Sequence, residues 1–339
     1  MAWEELYETA RTILADNKGI LAADESTGTI AKRFDAIGVE STEETRRAYR
    51  NLLFTTAGME KYIGGVILYD ETLRQQADDG TPFADLLAAK GVVPGIKVDT
   101  GAKPMALHPG ELVTEGLDGL RERLAEYYEL GARFAKWRAV ITIGDGIPTD
   151  GCIHANAHAL ARYAALCQEA GLVPIVEPEV LMDADNSIET CEDVTGRTLR
   201  ALYAALYGLD VHLRGTLLKP NMVIAGKGSP RQDPPERIAT LTVHGLLRHV
   251  PALVPGIVFL SGGQSEVQAT ENLNSINKIG GPWPLSYSYG RALQASALEA
   301  WRGEAANVPA AQAAFLHRAR MNSEAVAGRW SGEAEGQLP

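Results

Sequence analysis

One lysine interrupts an apolar stretch of the chain where an ordinary buried strand would carry no charge. Lys219 lies in the segment TLLKPNMV. A free lysine titrates near ~10.4 and is a poor nucleophile at neutral pH, but burial and a neighbouring cation favour the neutral amine. A neutral amine can form a Schiff base, which withdraws electrons when an adjacent carbon–carbon bond breaks. Lys136, in the segment FAKWRAV, is the candidate for the neighbouring cation.

Such chemistry also needs a group that takes a proton from a hydroxyl and later returns one to carbon. The carboxylates of Asp24, Glu177 and Glu179 are candidates, because side chains of this type act as general acids and bases. The alternative interpretation is simple ion pairing with cations such as Lys136 and Arg138. Ion pairing and catalysis are compatible roles for the same carboxylates.

Two glycine-rich segments could bind phosphate. FLSGGQSE places Gly262 and Gly263 between a predicted strand and a predicted helix, and SYGRALQ places Gly290 directly before Arg291. Exposed backbone N–H groups at a helix N-terminus attract anions, and arginine adds a fork of donors. Barrel enzymes often bind phosphate after their last two strands, so the two segments together are more specific than either alone.

The elements that must position these residues are eight short apolar runs, separated by segments with helical periodicity. The runs are Gly19–Asp24, Ile63–Tyr69, Val92–Val98, Arg133–Thr142, Leu172–Val180, Thr216–Val223, Ile257–Gly262 and Leu285–Tyr289. The helical segments include Gly119–Leu130, Asn156–Ala170, Thr195–Tyr207, Pro234–His249 and Glu266–Lys278. Near-continuous apolar strands that alternate with helices predict a parallel sheet covered on both faces.

Eight such strands that close on themselves predict an α/β fold, a (β/α)8 TIM barrel, with flanking helices in Met1–Asn17 and Arg291–Gly328. An open doubly wound sheet is disfavoured because no GxGxxG motif opens a helix after the first strand. No linker-like segment divides the chain, so residues 1–330 are expected to form one domain. The polar residues 331–339 are expected to be a mobile C-terminal tail.

Polar residues occur at or near the end of almost every predicted strand. In barrel enzymes the catalytic groups come from the carboxyl ends of several strands. Strand side chains alternate, so Lys136 and Arg138 share one face, as do Glu177 and Glu179. A single charged residue just past a strand could lie on the surface, but so many together predict one shared pocket, because buried charges need partners.

Composition limits the classes of function. The 339 residues carry 32 basic and 43 acidic side chains, a net charge of −11, which disfavours binding to nucleic acid. No apolar run approaches the roughly 20 residues that span a bilayer, and the N-terminus lacks the pattern of a signal peptide. An odd, small number of cysteines suggests reduced thiols and a cytoplasmic protein. These cysteines are Cys152, Cys167 and Cys191.

Other catalytic patterns have little support. His154 and His158 are four residues apart and could share a helix face as metal ligands, but no HExxH motif or third ligand accompanies them. A pair on the surface of a helix is the favoured interpretation. No GxSxG motif is present either. We therefore expect no metal and no cofactor.

The sequence resembles class I fructose-bisphosphate aldolases along nearly its whole length. The matching segments are GILAADESTGTIAKRF, GGVILYDETLRQQADDGTPF, GIKVDTG, FAKWR, GLVPIVEPEVL, GTLLKPNMV, FLSGGQSE, NLNSINK and SYGRALQASALEAW. The resemblance implies a barrel, commonly a homotetramer, in glycolysis, gluconeogenesis or a related pathway. Its substrates would be sugar bisphosphate and triose phosphates: fructose 1,6-bisphosphate would be converted reversibly into dihydroxyacetone phosphate and glyceraldehyde 3-phosphate, without a metal.

The resemblance also implies a role for each matching residue. Lys219 would form the Schiff base, Glu177 would be the principal acid and base with Glu179 beside it, and Asp24 and Lys136 would complete the catalytic set. The phosphate of the dihydroxyacetone half would bind at Ser261, Gly262, Gly263, Ser288, Gly290 and Arg291. The other phosphate would bind at Ser26, Thr29, Arg33, Lys97 and Arg138.

The chain departs from the family pattern at two places. Arg214 stands where the lysine signature usually has glutamate, and the chain ends in Leu338 and Pro339 instead of the tyrosine found in animal members. The group that returns the proton and the preference between bisphosphate and monophosphate stay open. Alternatives are another Schiff-base barrel such as a transaldolase, a non-catalytic relative, and a zinc-dependent aldolase. The presence of Lys219, Lys136 and Glu177 argues against a non-catalytic relative.

Overall fold

The computed structural model describes residues 3–336 and contains a closed barrel of eight parallel strands. The strands in chain order are β1 (Gly19–Ala23), β2 (Ile63–Leu68), β3 (Val93–Lys97), β4 (Gly101–Pro104), β5 (Leu112–Glu115), β6 (Phe134–Ile141), β7 (Val173–Val180), β8 (Leu217–Leu218), β9 (Ile257–Phe259) and β10 (Leu285–Tyr289). The order around the barrel is β1, β10, β9, β8, β7, β6, β3, β2. Strands β4 and β5 form a separate antiparallel hairpin.

Helices follow most of the strands and pack around the barrel. They are α1 (Trp3–Leu14), α2 (Thr27–Asp35), α3 (Glu43–Thr55), α4 (Asp70–Leu73), α5 (Phe83–Ala89), α6 (Leu120–Glu129), α7 (Asp150–Glu169), α8 (Ile188–Gly208), α9 (Pro235–His249), α10 (Glu266–Ile279), α11 (Arg291–Trp301), α12 (Val308–Val326) and α13 (Gly332–Glu335). Short 3-10 turns lie at Ala15–Asn17, Met59–Lys61, Leu213–Gly215 and Ala305–Asn307.

Helix α1 closes the end of the barrel at which the strands begin. Its buried residues Ile13 and Leu14 belong to a core cluster with side chains of six barrel strands. A Cβ at Gly64, near the start of β2, would lie 2.0 Å from the carbonyl oxygen of Ile13, so only glycine allows this close approach. Access to the barrel interior is therefore from the opposite end, where the strands finish.

Strands β6 and β7 show how the barrel turns charged side chains inward. Lys136 and Arg138 alternate with Trp137, which is buried and packs against Tyr163 of α7 with ring centroids 5.6 Å apart. The side chains that alternate with Trp137 therefore point into the barrel. The register pairs Arg138 with Glu177 on β7, which brings the charged positions of the two strands to the same level.

The predicted barrel and its eight strands are confirmed, but two details of the prediction are wrong. The sixth run, expected to be a strand over residues 216–223, is a strand only over Leu217–Leu218. Pairing continues for one step, since the Lys219 N–H donates to the Val176 carbonyl at 2.8 Å, and Pro220 then supplies no donor. The hairpin of β4 and β5 was not expected.

The two ends of the chain contain the predicted flanking helices, α1 before the barrel and α11 and α12 after it. Within the expected tail, Gly332–Glu335 form α13, and Glu335 makes ion pairs with Arg318 at 2.8 Å. Residues 337–339 lie outside the described residues, so the mobility of the tail stays a prediction. Among residues 3–336, no helix combines the length and apolar character needed to cross a membrane.

Candidate active site

A cavity of about 960 Å³ opens where the barrel strands end. All five predicted catalytic residues and all eleven predicted substrate-binding residues line it. They come from seven different strands or the segments that directly follow them, as expected for a barrel enzyme. The sequence-based prediction that these residues share one pocket is confirmed, while their individual roles stay predictions.

Two lysines and a glutamate form the centre of the cavity. The Glu177 Oε1 atom lies 3.3 Å from Lys219 Nζ, and its Oε2 atom lies 3.4 Å from Lys136 Nζ. All three side chains are buried. A buried charge is stable only beside an opposite charge, and the carboxylate of Glu177 supplies negative charge to both buried ammonium groups. Glu177 is thus placed to exchange protons at the nitrogen of Lys219.

Asp24 completes this cluster from the end of β1. Its Oδ2 atom lies 2.6 Å from Lys136 Nζ. Burial alone would raise the pKa of Asp24, but Lys136, Lys219 and Lys97 outweigh that effect and hold the pKa well below its usual range. Burial likewise would lower the pKa of Lys136, but Asp24, Glu177 and Asp99 raise it well above its usual value. Lys136 therefore stays cationic and Asp24 anionic at neutral pH.

The segments that follow β9 and β10, and strand β10 itself, contribute a glycine turn, an arginine and a buried hydroxyl to the cavity. Gly262 adopts a positive φ of 59°, which glycine tolerates best, and its carbonyl accepts a hydrogen bond from Arg291 at 3.4 Å. The buried Ser288 Oγ lines the cavity and has no hydrogen-bond partner among residues 3–336. A buried hydroxyl without a partner is costly, so a ligand oxygen at this point would stabilise it.

The other predicted cations each carry a carboxylate partner. Arg138 Nε pairs with Glu179 Oε2 at 2.5 Å, and Lys97 Nζ lies 2.7 Å from Asp99 Oδ1. Arg33 forms an ion pair with Glu25. Ser26 caps the N-terminus of α2, and its hydroxyl accepts a hydrogen bond from the backbone N–H of Thr29. This side of the cavity can therefore bind an anion by exchanging protein carboxylates for ligand oxygens.

Comparison with known proteins identifies the family. The sequence model described as fructose-bisphosphate aldolase class-I matches residues 5–338. The chain belongs to the class I fructose-bisphosphate aldolases. The predicted family and enzyme class, a carbon–carbon lyase, are therefore confirmed, and members of this class work through a Schiff base.

Individual relatives cover almost the whole aldolase chain. A probable fructose-bisphosphate aldolase class 1 of Xanthomonas campestris is 59% identical over 334 residues, covering 98% of this chain and 100% of the relative. A cytosolic fructose-bisphosphate aldolase 4 of Arabidopsis thaliana is 57% identical, with coverage of 98% and 85%. The solved Plasmodium falciparum aldolase, in complex with TRAP and an inhibitor, has a TM-score of 0.96 and 52% identity, covering 97% and 96% of the chains.

Several charged residues that line this aldolase cavity were not singled out from the sequence, among them Glu25 and Lys227. Glu25, beside Asp24, is buried and accepts hydrogen bonds from Arg50 at 2.6 Å and Gln294 at 3.1 Å, in addition to its pair with Arg33. The apolar neighbours of Arg50 in α3 hinted at a buried partner, but only the packing of α3 reveals it.

The alternative candidates lie away from this centre. His154 lies on α7, with its Nδ1 atom 2.7 Å from the carbonyl oxygen of Asp150. No group of three or more His, Cys, Asp or Glu within the described part of the chain is arranged to hold a metal ion. The three cysteines are buried and form no disulfide, consistent with the reduced thiols expected from their number.

Proposed function

We propose that Lys219 forms the Schiff base through which this class I aldolase reversibly cleaves fructose 1,6-bisphosphate into dihydroxyacetone phosphate and glyceraldehyde 3-phosphate. The observation that carries the proposal is the contact of Glu177 with both Lys219 and Lys136, in a cavity that is also lined by lysine, arginine, serine and glycine residues. In this position Glu177 can exchange protons with Lys219 while the positive charge of Lys136 stays beside it.

The reaction begins at the ketone carbon of the sugar. Deprotonated Lys219 Nζ attacks this carbon, and the carbonyl oxygen takes up a proton to give a carbinolamine. Glu177, acting as a general acid, protonates the departing hydroxyl, so water leaves and an iminium ion forms. Lys136 lies 3.4 Å from the same carboxylate, and its fixed positive charge stabilises the negative charge that Glu177 then carries.

Cleavage of the bond between C3 and C4 uses the iminium ion as the electron acceptor. A base removes the C4 hydroxyl proton, C4 becomes the aldehyde carbon of glyceraldehyde 3-phosphate, and the bonding electrons move into an enamine on Lys219. Protonation of the enamine and hydrolysis release dihydroxyacetone phosphate. We assign the base to Glu177 and not to Asp24. Burial would raise the pKa of Asp24, but Lys136 outweighs that effect and lowers the pKa, so Asp24 is a weak proton acceptor. Asp24 instead accepts hydrogen bonds from substrate hydroxyls.

The two phosphates are assigned to opposite groups of donors. We place the ketone-side phosphate at Ser261, Gly262, Gly263, Ser288, Gly290 and Arg291. We place the aldehyde-side phosphate at Ser26, Thr29, Arg33, Lys97 and Arg138, with Glu179 holding Arg138 until the substrate enters. The partnerless hydroxyl of Ser288 supports the first assignment, and the exchangeable ion pairs support the second.

We also propose that the enzyme is a cytosolic homotetramer that consumes sugar phosphates and binds neither nucleic acid nor membrane. The support is the resemblance to a family that is commonly tetrameric, together with two relatives named as cytosolic. Light scattering of the purified enzyme should give four times the chain mass of 36.4 kDa. A mass of one or two chains would overturn the tetramer.

The cleavage reaction itself is tested with purified enzyme and fructose 1,6-bisphosphate, with and without a chelator. We expect equal rates in both samples and no activity in Lys219→Met. Loss of activity in the chelator would favour a zinc-dependent aldolase. A higher kcat/KM with fructose 1-phosphate than with the bisphosphate would favour a monophosphate aldolase, because the aldehyde-side cations would then contribute nothing.

A further inference from the structure

Lys227 lies against the glycine turn that follows β9, although it is far from that turn in sequence. A Cβ placed on Gly263 would be 2.0 Å from Lys227 Cε and 2.3 Å from Lys227 Nζ. Any residue other than glycine at position 263 would therefore displace the lysine. Lys227 also lines the main cavity together with Gly262 and Arg291.

The backbone around Lys227 is held in place by the segment that follows β7. The N–H of Lys227 donates to the Met182 carbonyl at 2.8 Å, and the N–H of Gly228 donates to the Ala184 carbonyl at 2.8 Å. The N–H of Gly226 donates to the Asn186 carbonyl at 2.9 Å. The position of Lys227 relative to the cavity is therefore set by main-chain hydrogen bonds, independently of its ammonium group.

Among residues 3–336, the ammonium group pairs with Asp183 alone, and this partner is exchangeable. Lys227 Nζ lies 2.6 Å from Asp183 Oδ1, and the two side chains are 45% and 64% exposed. An exposed ion pair of this kind contributes little free energy, because water competes for both charges. A phosphate dianion carries more charge than one carboxylate and offers three oxygens, so it can replace Asp183 as the partner of Lys227.

Two donors of the proposed ketone-side phosphate site also lack strong acceptors. The N–H of Gly263 points at Met182 Sδ, 2.7 Å away, and a thioether sulfur is a weak acceptor. The buried hydroxyl of Ser288 has no partner among the described residues. Both groups would gain from a phosphate oxygen, and neither depends on Lys227. They are a second indication, independent of the lysine, that this place binds an anion.

We propose that Lys227 is a further cation of the ketone-side phosphate site, acting together with Arg291 and releasing Asp183 when substrate binds. The proposal rests on the assignment of that phosphate to the Gly262–Gly263 turn made above. Two cations then face a dianion in a protein whose net charge is −11. Lys227 raises substrate affinity and touches no atom of the bond that breaks, so its effect falls on KM.

Steady-state kinetics of three variants test this role. Lys227→Met should raise KM about five- to tenfold and leave kcat within about twofold, because one charge-assisted contact to phosphate is lost. Asp183→Asn should lower KM about twofold, since it frees the lysine. Arg121→Met removes an exposed cation, paired with Glu169, that does not line the cavity, and should change neither parameter.

The choice of substrate shows which phosphate Lys227 binds. Fructose 1-phosphate has only the ketone-side phosphate, so the rise in KM of Lys227→Met should appear with this substrate as well as with the bisphosphate. A rise confined to the bisphosphate would overturn the assignment. An unchanged KM with both substrates would also overturn it. A third result would overturn it: both Lys227→Met and Asp183→Asn are less stable than the unmodified enzyme and both have a higher KM. That pattern would indicate that the ion pair is structural.

Binding of inorganic phosphate separates this inference from the proposed reaction. Phosphate should raise the Tm of the unmodified enzyme and raise that of Lys227→Met less at equal concentration, because a bound ligand stabilises the folded state. If the unmodified enzyme does not cleave the bisphosphate, the proposed function fails, and the phosphate-induced Tm shift still decides on Lys227. Equal shifts in the two proteins would contradict the inference.

Discussion

Glu177 and Lys219 are in contact at the centre of the cavity, with the carboxylate oxygen 3.3 Å from the ammonium nitrogen and both side chains buried. The second oxygen of the same carboxylate faces Lys136. This arrangement allows one carboxylate to give and take protons at the nucleophile without leaving a buried charge unpaired. The chemistry proposed for the enzyme depends on this contact.

Glu177→Gln is the most direct test of proton transfer at the nucleophile. The amide has nearly the shape of the carboxylate but cannot carry a proton between the nitrogen and the hydroxyl, so kcat should fall about 10²- to 10⁴-fold. The rate of triose phosphate formation measures this, and circular dichroism confirms the fold. A folded Glu177→Gln enzyme with unchanged kcat would show that another group transfers the proton.

Removal of one member of the Asp24–Lys136 pair should cost more stability than removal of both. Lys136→Met leaves a buried carboxylate without its closest partner, which typically costs about 3–5 kcal/mol. The double variant Lys136→Met/Asp24→Asn should recover much of the loss while staying inactive. Urea unfolding measures the free energy of each variant. Additive losses in the double variant would show that the two residues do not interact.

The pH dependence of this pair follows from the directions of the two shifts. Burial would raise the pKa of Asp24, but Lys136 outweighs burial and lowers that pKa from its ordinary value of 3.8. The contribution of Asp24 to the free energy of unfolding is therefore present above pH 3.8 and is lost as the pH falls below it. Burial would lower the pKa of Lys136, but Asp24 outweighs burial and raises that pKa above 10.5. The contribution of Lys136 to the free energy of unfolding is therefore lost only above pH 10.5.

The free energy of unfolding should therefore differ by a constant amount between the unmodified enzyme and Asp24→Asn from about pH 5 to pH 9. The difference should shrink below about pH 4, because Asp24 takes up a proton in the unfolded chain while it stays ionised in the folded enzyme. Urea unfolding at a series of pH values measures it. A difference that changes steadily around pH 7 would contradict the assigned charge states.

Glu25 should link stability to the binding of the aldehyde-side phosphate. Glu25→Gln leaves the buried Arg50 without its carboxylate, which should cost about 3–5 kcal/mol. It also frees Arg33 for the phosphate, which should lower KM for the bisphosphate. Glu44→Gln is the control, since Glu44 forms an exposed pair with Arg47 and should change neither quantity. Equal unfolding midpoints for Glu25→Gln and the unmodified enzyme would contradict this role.

The fold could be predicted because the barrel strands are mostly apolar and lie between helical segments. The hairpin of β4 and β5 was missed because its strands are four residues long and separated by proline and glycine, which are typical of loops. The end of β8 was placed too late because TLLKPNMV is mostly apolar on both sides of Lys219, although Pro220 ends the ladder.

The site could be predicted wherever a charged residue interrupts or ends an apolar strand, as at Lys219 and Lys136. Glu25 was missed because Asp24, its neighbour, satisfies the same pattern, and because its partner Arg50 is brought to it by the packing of a helix. Lys227 was missed because it lies in a polar loop, where lysine is ordinary. Only the distance to Gly263 makes it informative.

The central claim, covalent chemistry at Lys219, is tested most directly by borohydride reduction in the presence of dihydroxyacetone phosphate. Borohydride reduces an iminium ion to a stable amine, and mass spectrometry of the digested enzyme then locates the modified residue. Glu177→Gln should form this adduct more slowly, and Lys219→Met should not form it. We expect one substrate-dependent adduct, on Lys219; no adduct, or an adduct on another lysine, would contradict the assignment.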